Sequence, residues 1–146
     1  MKFINDYNLL EDLQWVLLTG SIKMRRDTIW ILQNTACSER GAEVIMESGT
    51  NIWMNVLLEV KRKDIEMKTE CFLFLANLLE NLNGKPHHYK KLVSQNLLGV
   101  IHDELYEGPD YPYNNILAIE CLAKIFRVLP DEQDKFLRVH GTEALE

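Results

Sequence analysis

Apolar residues recur at intervals of three and four along almost the whole chain, and this spacing constrains the fold more than any other feature. It gathers apolar side chains on one face of an α-helix, whereas a half-buried strand needs strict alternation. Seven glycines and four prolines in 146 residues are also few for a fold with many tight turns. The sequence therefore predicts an all-α protein.

The apolar runs and the Gly, Pro, Asn and Ser residues between them predict where each helix begins and ends. Gly20 is expected to end the first helix in the left-handed conformation, and Asp64 to begin the longest helix. Residues 108–112 form the one predicted long loop. The predicted helices span residues 7–18, 26–37, 42–47, 51–60, 64–82, 86–93, 96–106, 114–129 and 130–139.

The order short, medium and long helix appears twice, which indicates an internal repeat. Residues 70–72 read ECF, and residues 120–122 read ECL at the same place in the later long helix. The short-to-medium junctions are marked by residues 48–50, 95–97 and 140–142. A period of 40 to 50 residues is typical of a helical solenoid, although chance similarity between amphipathic helices is the alternative. The predicted units are residues 1–37, 40–82, 86–129 and a partial unit, 131–146.

We treat residues 1–146 as a single domain made of these units. The chain stops where a new medium helix is expected, at residues 142–146, and this would leave an apolar face uncapped. We therefore expect a fragment of a longer protein. A small domain that caps itself is the alternative.

Three nine-residue segments in the long helices resemble a motif of the armadillo repeat family. Residues 28–36 read TIWILQNTA, with Trp30 and Asn34 four apart as in the motif. Residues 71–79 read CFLFLANLL, which keeps Asn77 but has Leu73 in place of the Trp. Residues 121–129 read CLAKIFRVL, with Ala123 and Arg127 in those two positions. The resemblance covers nearly the whole chain and implies an armadillo-like right-handed α-α superhelix, a solenoid.

The resemblance also implies a binding face. In the family, the long helices line a concave groove in which Asn side chains bind the backbone of an extended peptide and Trp rings hold its long side chains. When the Trp and Asn positions of the family motif are matched to this sequence, the resemblance implies five partner-binding residues: Trp30, Asn34, Leu73, Asn77 and Arg127. Arg127 would favour a mixed or acidic partner over a basic one. Two alternatives stay open, because each Asn can be satisfied locally and Trp30 can be an ordinary core residue.

Two further sets of residues form a candidate secondary surface. Lys61, Arg62 and Lys63 follow a medium helix, where cations complement the helix dipole, and we prefer that interpretation to a docking site. Tyr111 and Tyr113 lie near the predicted loop. They are contact residues or part of a simple connector, and the sequence does not separate the two.

Several classes of function are not indicated. A net charge of −6 gives no general attraction to nucleic acid or to an anionic membrane, and no apolar segment is long enough to span a bilayer. Three widely spaced cysteines form no zinc motif, and Cys71 and Cys121 fall on apolar faces where we expect them to be buried. The adjacent His87 and His88 do not face the same way on a helix. We therefore expect no enzyme activity, no metal and no cofactor.

These observations favour a non-enzymatic scaffold that binds a peptide or helical partner on the concave face of the repeats. One alternative is an architectural, self-associating segment of a large cytoskeletal or centrosomal protein. Its contacts would use the exposed solenoid ends, such as the apolar end at residues 15–18. Another is a chaperone cofactor of armadillo type. We expect a cytoplasmic protein because the cysteine pattern suits a reducing compartment, and the nucleus stays open as a location.

Overall fold

The computed structural model describes residues 9–62, 64–107 and 112–145, and regular structure in these ranges is helical throughout, with no strand. This confirms the prediction of an all-α protein. The helices are α1 (Leu9–Thr19), α2 (Ile22–Thr35), α3 (Glu39–Glu47), α4 (Ile52–Val60), α5 (Ile65–Asn81), α6 (Pro86–Ser94), α7 (Leu97–Glu107), α8 (Pro112–Val128) and α9 (Pro130–Leu145).

Helix starts follow from local capping. The side chain of Asp64 accepts a hydrogen bond of 2.9 Å from the backbone N–H of Met67, as expected for the residue that begins α5. Helix α2 begins one turn earlier than predicted, because the Ser21 hydroxyl accepts a 3.3 Å bond from the N–H of Met24. A serine before a helix is a readable signal, and it places the start of α2 at Ile22.

Gly20 follows the end of α1 as predicted, but its φ angle is not positive. Its N–H instead donates to the carbonyl oxygen of Val16 at 2.7 Å, which continues the helical pattern. A Cβ atom at this position would also lie 2.7 Å from that oxygen. The prediction of a left-handed cap was therefore wrong. Glycine suits position 20 because a side chain there would lie too close to the Val16 backbone oxygen.

The predicted break at residues 140–142 was also wrong. Helix α9 runs unbroken from Pro130 to Leu145, so no new helix begins at residue 142. A glycine inside a helix costs only about 1 kcal/mol relative to alanine, which packing easily offsets. At the two earlier junctions the chain turns at the left-handed residues Asn51 (φ 53°) and Asn96 (φ 69°), and no Asn or Pro follows Gly141.

The long helix comes third in both sets of three, as predicted, but the first two helices differ in length only in the second set. Helices α3, α4 and α5 have 9, 9 and 17 residues, and α6, α7 and α8 have 9, 11 and 17. Helix α7 ends at Glu107, directly before the predicted loop, and Pro112, predicted to be the last loop residue, begins α8. The rest of that loop lies outside the described residues.

The chain divides into two compact units, after Asn83. In the first, α5 packs against α2, α3 and α4, and α1 packs against α2 and α4. The core of this unit is built from large side chains that are almost fully buried, among them Ile29, Leu32, Ile45, Trp53, Phe72 and Phe74.

In the second unit, α8 packs against α6, α7 and α9. Its buried side chains include Leu92, Ile101, Ile125 and Phe136. Phe136 brings α9 onto α8 through its ring, whose centroid lies 5.7 Å from that of Phe126. This is within the distance at which aromatic pairs are stabilising.

Candidate partner-binding face

Helices α2 and α5 lie side by side in the first unit and run in the same direction. Near their starts, Nη2 of Arg26 lies 3.2 Å from Oε2 of Glu66. Further along, Nε2 of Gln33 donates to the backbone oxygen of Glu70 at 2.9 Å. Beyond the end of α2, Nδ2 of Asn77 lies 3.4 Å from Sγ of Cys37. Residue numbers rise together in both helices, so equivalent positions of the two long helices are neighbours.

Gln33 holds these two helices in register. Its side chain is buried, and its amide donates both to the Glu70 backbone and to the Glu70 carboxylate. A buried amide without partners would destabilise the fold, so these bonds restrict how α2 and α5 can slide. Sequence reasoning missed Gln33, although a Gln within one helical turn of the apolar residues Ile29, Leu32 and Ala36 was the available signal.

Trp30 lies on the opposite side of α2 from the core residues Ile29 and Leu32. Its side chain is 61% exposed, so it is not a core residue. Asn34, one helical turn later on the same side, is exposed as well. The structure therefore presents a large aromatic ring and a side-chain amide together on one solvent-facing stripe of α2.

Asn77 occupies on α5 the position that Asn34 occupies on α2. It is half-buried, and its Nδ2 reaches the backbone oxygen of Gln33 at 3.5 Å and the Cys37 sulfur at 3.4 Å. The distance to the Gln33 oxygen is long for a hydrogen bond, and a thiol sulfur is a weak acceptor, so both contacts are weak. The sequence left open that each Asn is hydrogen-bonded locally. These two contacts show that the Asn77 amide partly is. Leu73, one turn earlier on α5, is also half-buried.

Cys37 was not singled out from the sequence, yet it lies exposed beside Asn77. The other two cysteines are buried and unpaired, as predicted. Burial raises the pKa of the Cys71 thiol well above its usual value, and it raises the pKa of Cys121 to about 12. Both thiols therefore stay protonated at neutral pH, and neither has the thiolate character that a nucleophile needs.

Arg127 belongs to the second unit. It is exposed in the last turn of α8, and Ala123, one turn earlier, is exposed too. Both therefore lie on the solvent side of their helix, like Trp30 and Asn34 on α2.

The candidate secondary surface is only partly described. Lys61 and Arg62 are exposed just after α4, and Nε of Arg62 lies 3.8 Å from the Glu59 carboxylate. Tyr113 is exposed in the first turn of α8, within the second unit, rather than in a loop. Lys63 and Tyr111 lie outside the described residues. The structure thus assigns these positions to separate units.

Within the described ranges, no group of three or more His, Cys, Asp or Glu side chains is arranged to hold a metal ion. Among the described helices, none combines the length and the apolar character needed to cross a membrane.

Comparison of the chain with protein-family models, with curated proteins and with solved structures gave no match. The armadillo resemblance therefore stays a prediction that rests on the residues quoted for it.

Proposed function

We propose that this chain is an armadillo-like helical-repeat scaffold without catalytic activity, which binds a peptide or helical segment of a partner protein along α2 and α5. One observation carries the proposal: Trp30 is 61% exposed beside Asn34, and Asn77 lies at the equivalent position of the parallel neighbouring helix. An aromatic ring followed along the helix direction by two side-chain amides, on adjacent helices, suits an extended ligand.

The chemistry of binding follows from these groups. The Trp30 indole would cover the apolar part of a ligand side chain, and burying a large side chain contributes about 2 kcal/mol or more. Each Asn amide offers both donors and an acceptor, so it can bond the ligand's main chain whatever its sequence. Because the Asn77 side chain makes only weak contacts to Gln33 and Cys37, exchanging them for a ligand backbone would cost little.

The recurring helix lengths and the parallel contact of α2 with α5 support a repeat architecture. In the right-handed superhelix that we propose, the long helices form the concave face. Arg127 stands in α8 at the motif position of the Asn, and it would select an acidic residue of the partner. We also propose a cytoplasmic setting, which three unpaired cysteines support.

The test begins with a peptide library displayed against the whole chain, followed by affinity measurements on a selected peptide. We expect Trp30→Ala to raise the Kd about tenfold or more, as for a central aromatic contact, and Asn77→Ala to raise it less. Trp15→Ala is the matched control, since Trp15 is 65% exposed on α1, a different helix. Unchanged affinity in both Trp30→Ala and Asn77→Ala would overturn the proposal.

A further inference from the structure

A second apolar surface lies on α1 and α4, away from the helices of the proposed peptide site. Nε2 of Gln14 on α1 donates to Oδ1 of Asn55 on α4 and to the backbone oxygen of Thr50, both at 2.8 Å. Arg25, which follows α1, contacts Glu59 near the end of α4. The two helices therefore lie side by side and run in the same direction.

Large apolar side chains follow this seam on its outer side. Leu18 lies one turn beyond Gln14 and is 54% exposed, and Leu58 lies one turn beyond Asn55 and is more than half exposed. Trp15 and Met54 are exposed on the same two helices. We call these four residues, Trp15, Leu18, Met54 and Leu58, the α1–α4 strip. A contiguous apolar surface of this kind marks a docking site more often than isolated exposed residues do.

Opposite charges lie at the two ends of the α1–α4 strip. Glu11 is exposed one turn before Trp15, in the first turn of α1. Lys61 and Arg62 are exposed at the other end, immediately after α4. The strip is therefore acidic at one end, apolar in the middle and basic at the other end.

We propose that the α1–α4 strip binds a second copy of this chain in an antiparallel, two-fold arrangement. Two-fold symmetry places the same surface on both partners, so each acidic end meets the other copy's basic end. The apolar centres then cover each other, and Glu11 of each chain faces Lys61 and Arg62 of its partner. This pairing of charges favours a second copy over an uncharged apolar ligand. Because the contact uses α1 and α4, it is independent of peptide binding at Trp30.

Sedimentation of the whole chain over a concentration series tests the association. We expect a reversible dimer whose Kd rises about tenfold when Leu18→Gln and Leu58→Gln are combined, since both apolar contacts are then lost. Ile116→Gln is the matched control, because Ile116 on α8 is also 54% exposed and should leave the Kd unchanged. Circular dichroism and thermal melting establish that each variant is folded.

Charge reversal tests the antiparallel arrangement. Glu11→Lys and Lys61→Glu should each weaken self-association, whereas an equimolar mixture of the two variants should regain it as a heterodimer. In that mixture the lysine introduced by Glu11→Lys faces the glutamate introduced by Lys61→Glu, and the unchanged Glu11 faces the unchanged Lys61. A chain that is monomeric at every concentration up to its solubility limit would overturn the proposal. A dimer whose Kd does not change with these substitutions would also overturn it. So would a monomeric chain that binds lipid vesicles through the α1–α4 strip.

Discussion

Arg25 holds its Nε 2.8 Å from Oε1 of Glu59, a carboxylate whose side chain is only 2% exposed. The N–H does not point at that oxygen, so the contact is an ion pair more than an aligned hydrogen bond. Nη1 of Arg25 also donates to the backbone oxygen of Gly20 at 2.8 Å. One side chain thus connects the end of α1, the start of α2 and the end of α4.

Arg25→Met should lower the free energy of unfolding by about 3 kcal/mol, because it removes the closer and more buried of the two cations beside the Glu59 carboxylate. Arg62→Met is the control. Nε of Arg62 lies 3.8 Å from the same oxygen, but the Arg62 side chain is about half exposed. Arg62→Met should therefore lower the free energy of unfolding by less than about 1 kcal/mol. Urea unfolding measures both. Adding Glu59→Met to Arg25→Met should recover part of the loss, and equal losses in the two single variants would contradict this account.

Gly41→Ala should destabilise the first unit although alanine is the better helix former. A Cβ at Gly41 would overlap the backbone oxygen of Thr35, which cannot move without disturbing the end of α2. We expect a loss of about 2 kcal/mol in chemical denaturation, typical of overpacking. Arg40→Ala, at the exposed neighbouring position, should change stability by less than about 0.5 kcal/mol. A gain in stability for Gly41→Ala would show that α3 is free to shift.

Much of the helix pattern was readable from the sequence because it depends on local chemistry. Asp64, Pro86 and Pro130 act on the turn that they begin, so their helices start where predicted or within one residue of it. Gly141 shows the limit of local reasoning. Its cost to a helix is small, and the prediction failed because a glycine alone does not force a turn.

The candidate binding face was less predictable, because the exposure of a side chain depends on the neighbouring helices. Helix α2 carries apolar residues on more than one side, so the spacing of these residues did not reveal whether Trp30 faces the core. The structure leaves Trp30 exposed and buries Trp53 completely. The Gln33–Glu70 bonds join residues 37 positions apart in the chain, and no local pattern predicts that pairing.

Stability should fall at high pH through the buried thiol of Cys121. Its pKa is raised from 9.0 to about 12, first by burial, so the folded chain keeps a proton that the unfolded chain releases. The protonated thiol makes its full contribution to the free energy of unfolding below pH 9.0. This contribution is lost as the pH rises from there toward about 12. Within this window one such thiol lowers stability by about 1.4 kcal/mol per pH unit.

Denaturant midpoints of wild type and Cys121→Ala at a series of pH values from neutral upward isolate this effect from other titrating groups. The variant starts less stable because it loses packing, but its decline above pH 9.0 should be shallower. Parallel declines of the two proteins would mean that the Cys121 thiol does not contribute.

The most direct test of the proposed binding face uses the three tryptophan indole N–H signals in a ¹H–¹⁵N spectrum of the whole chain. Trp30 and Trp15 are both exposed, on different helices, and Trp53 is fully buried, while Trp30→Phe and Trp15→Phe assign the first two signals. On titration with a selected peptide, we predict that the Trp30 signal shifts in proportion to occupancy while the Trp15 and Trp53 signals stay in place. A peptide that binds and shifts Trp15 but not Trp30 would contradict the assignment of the partner-binding face to α2 and α5.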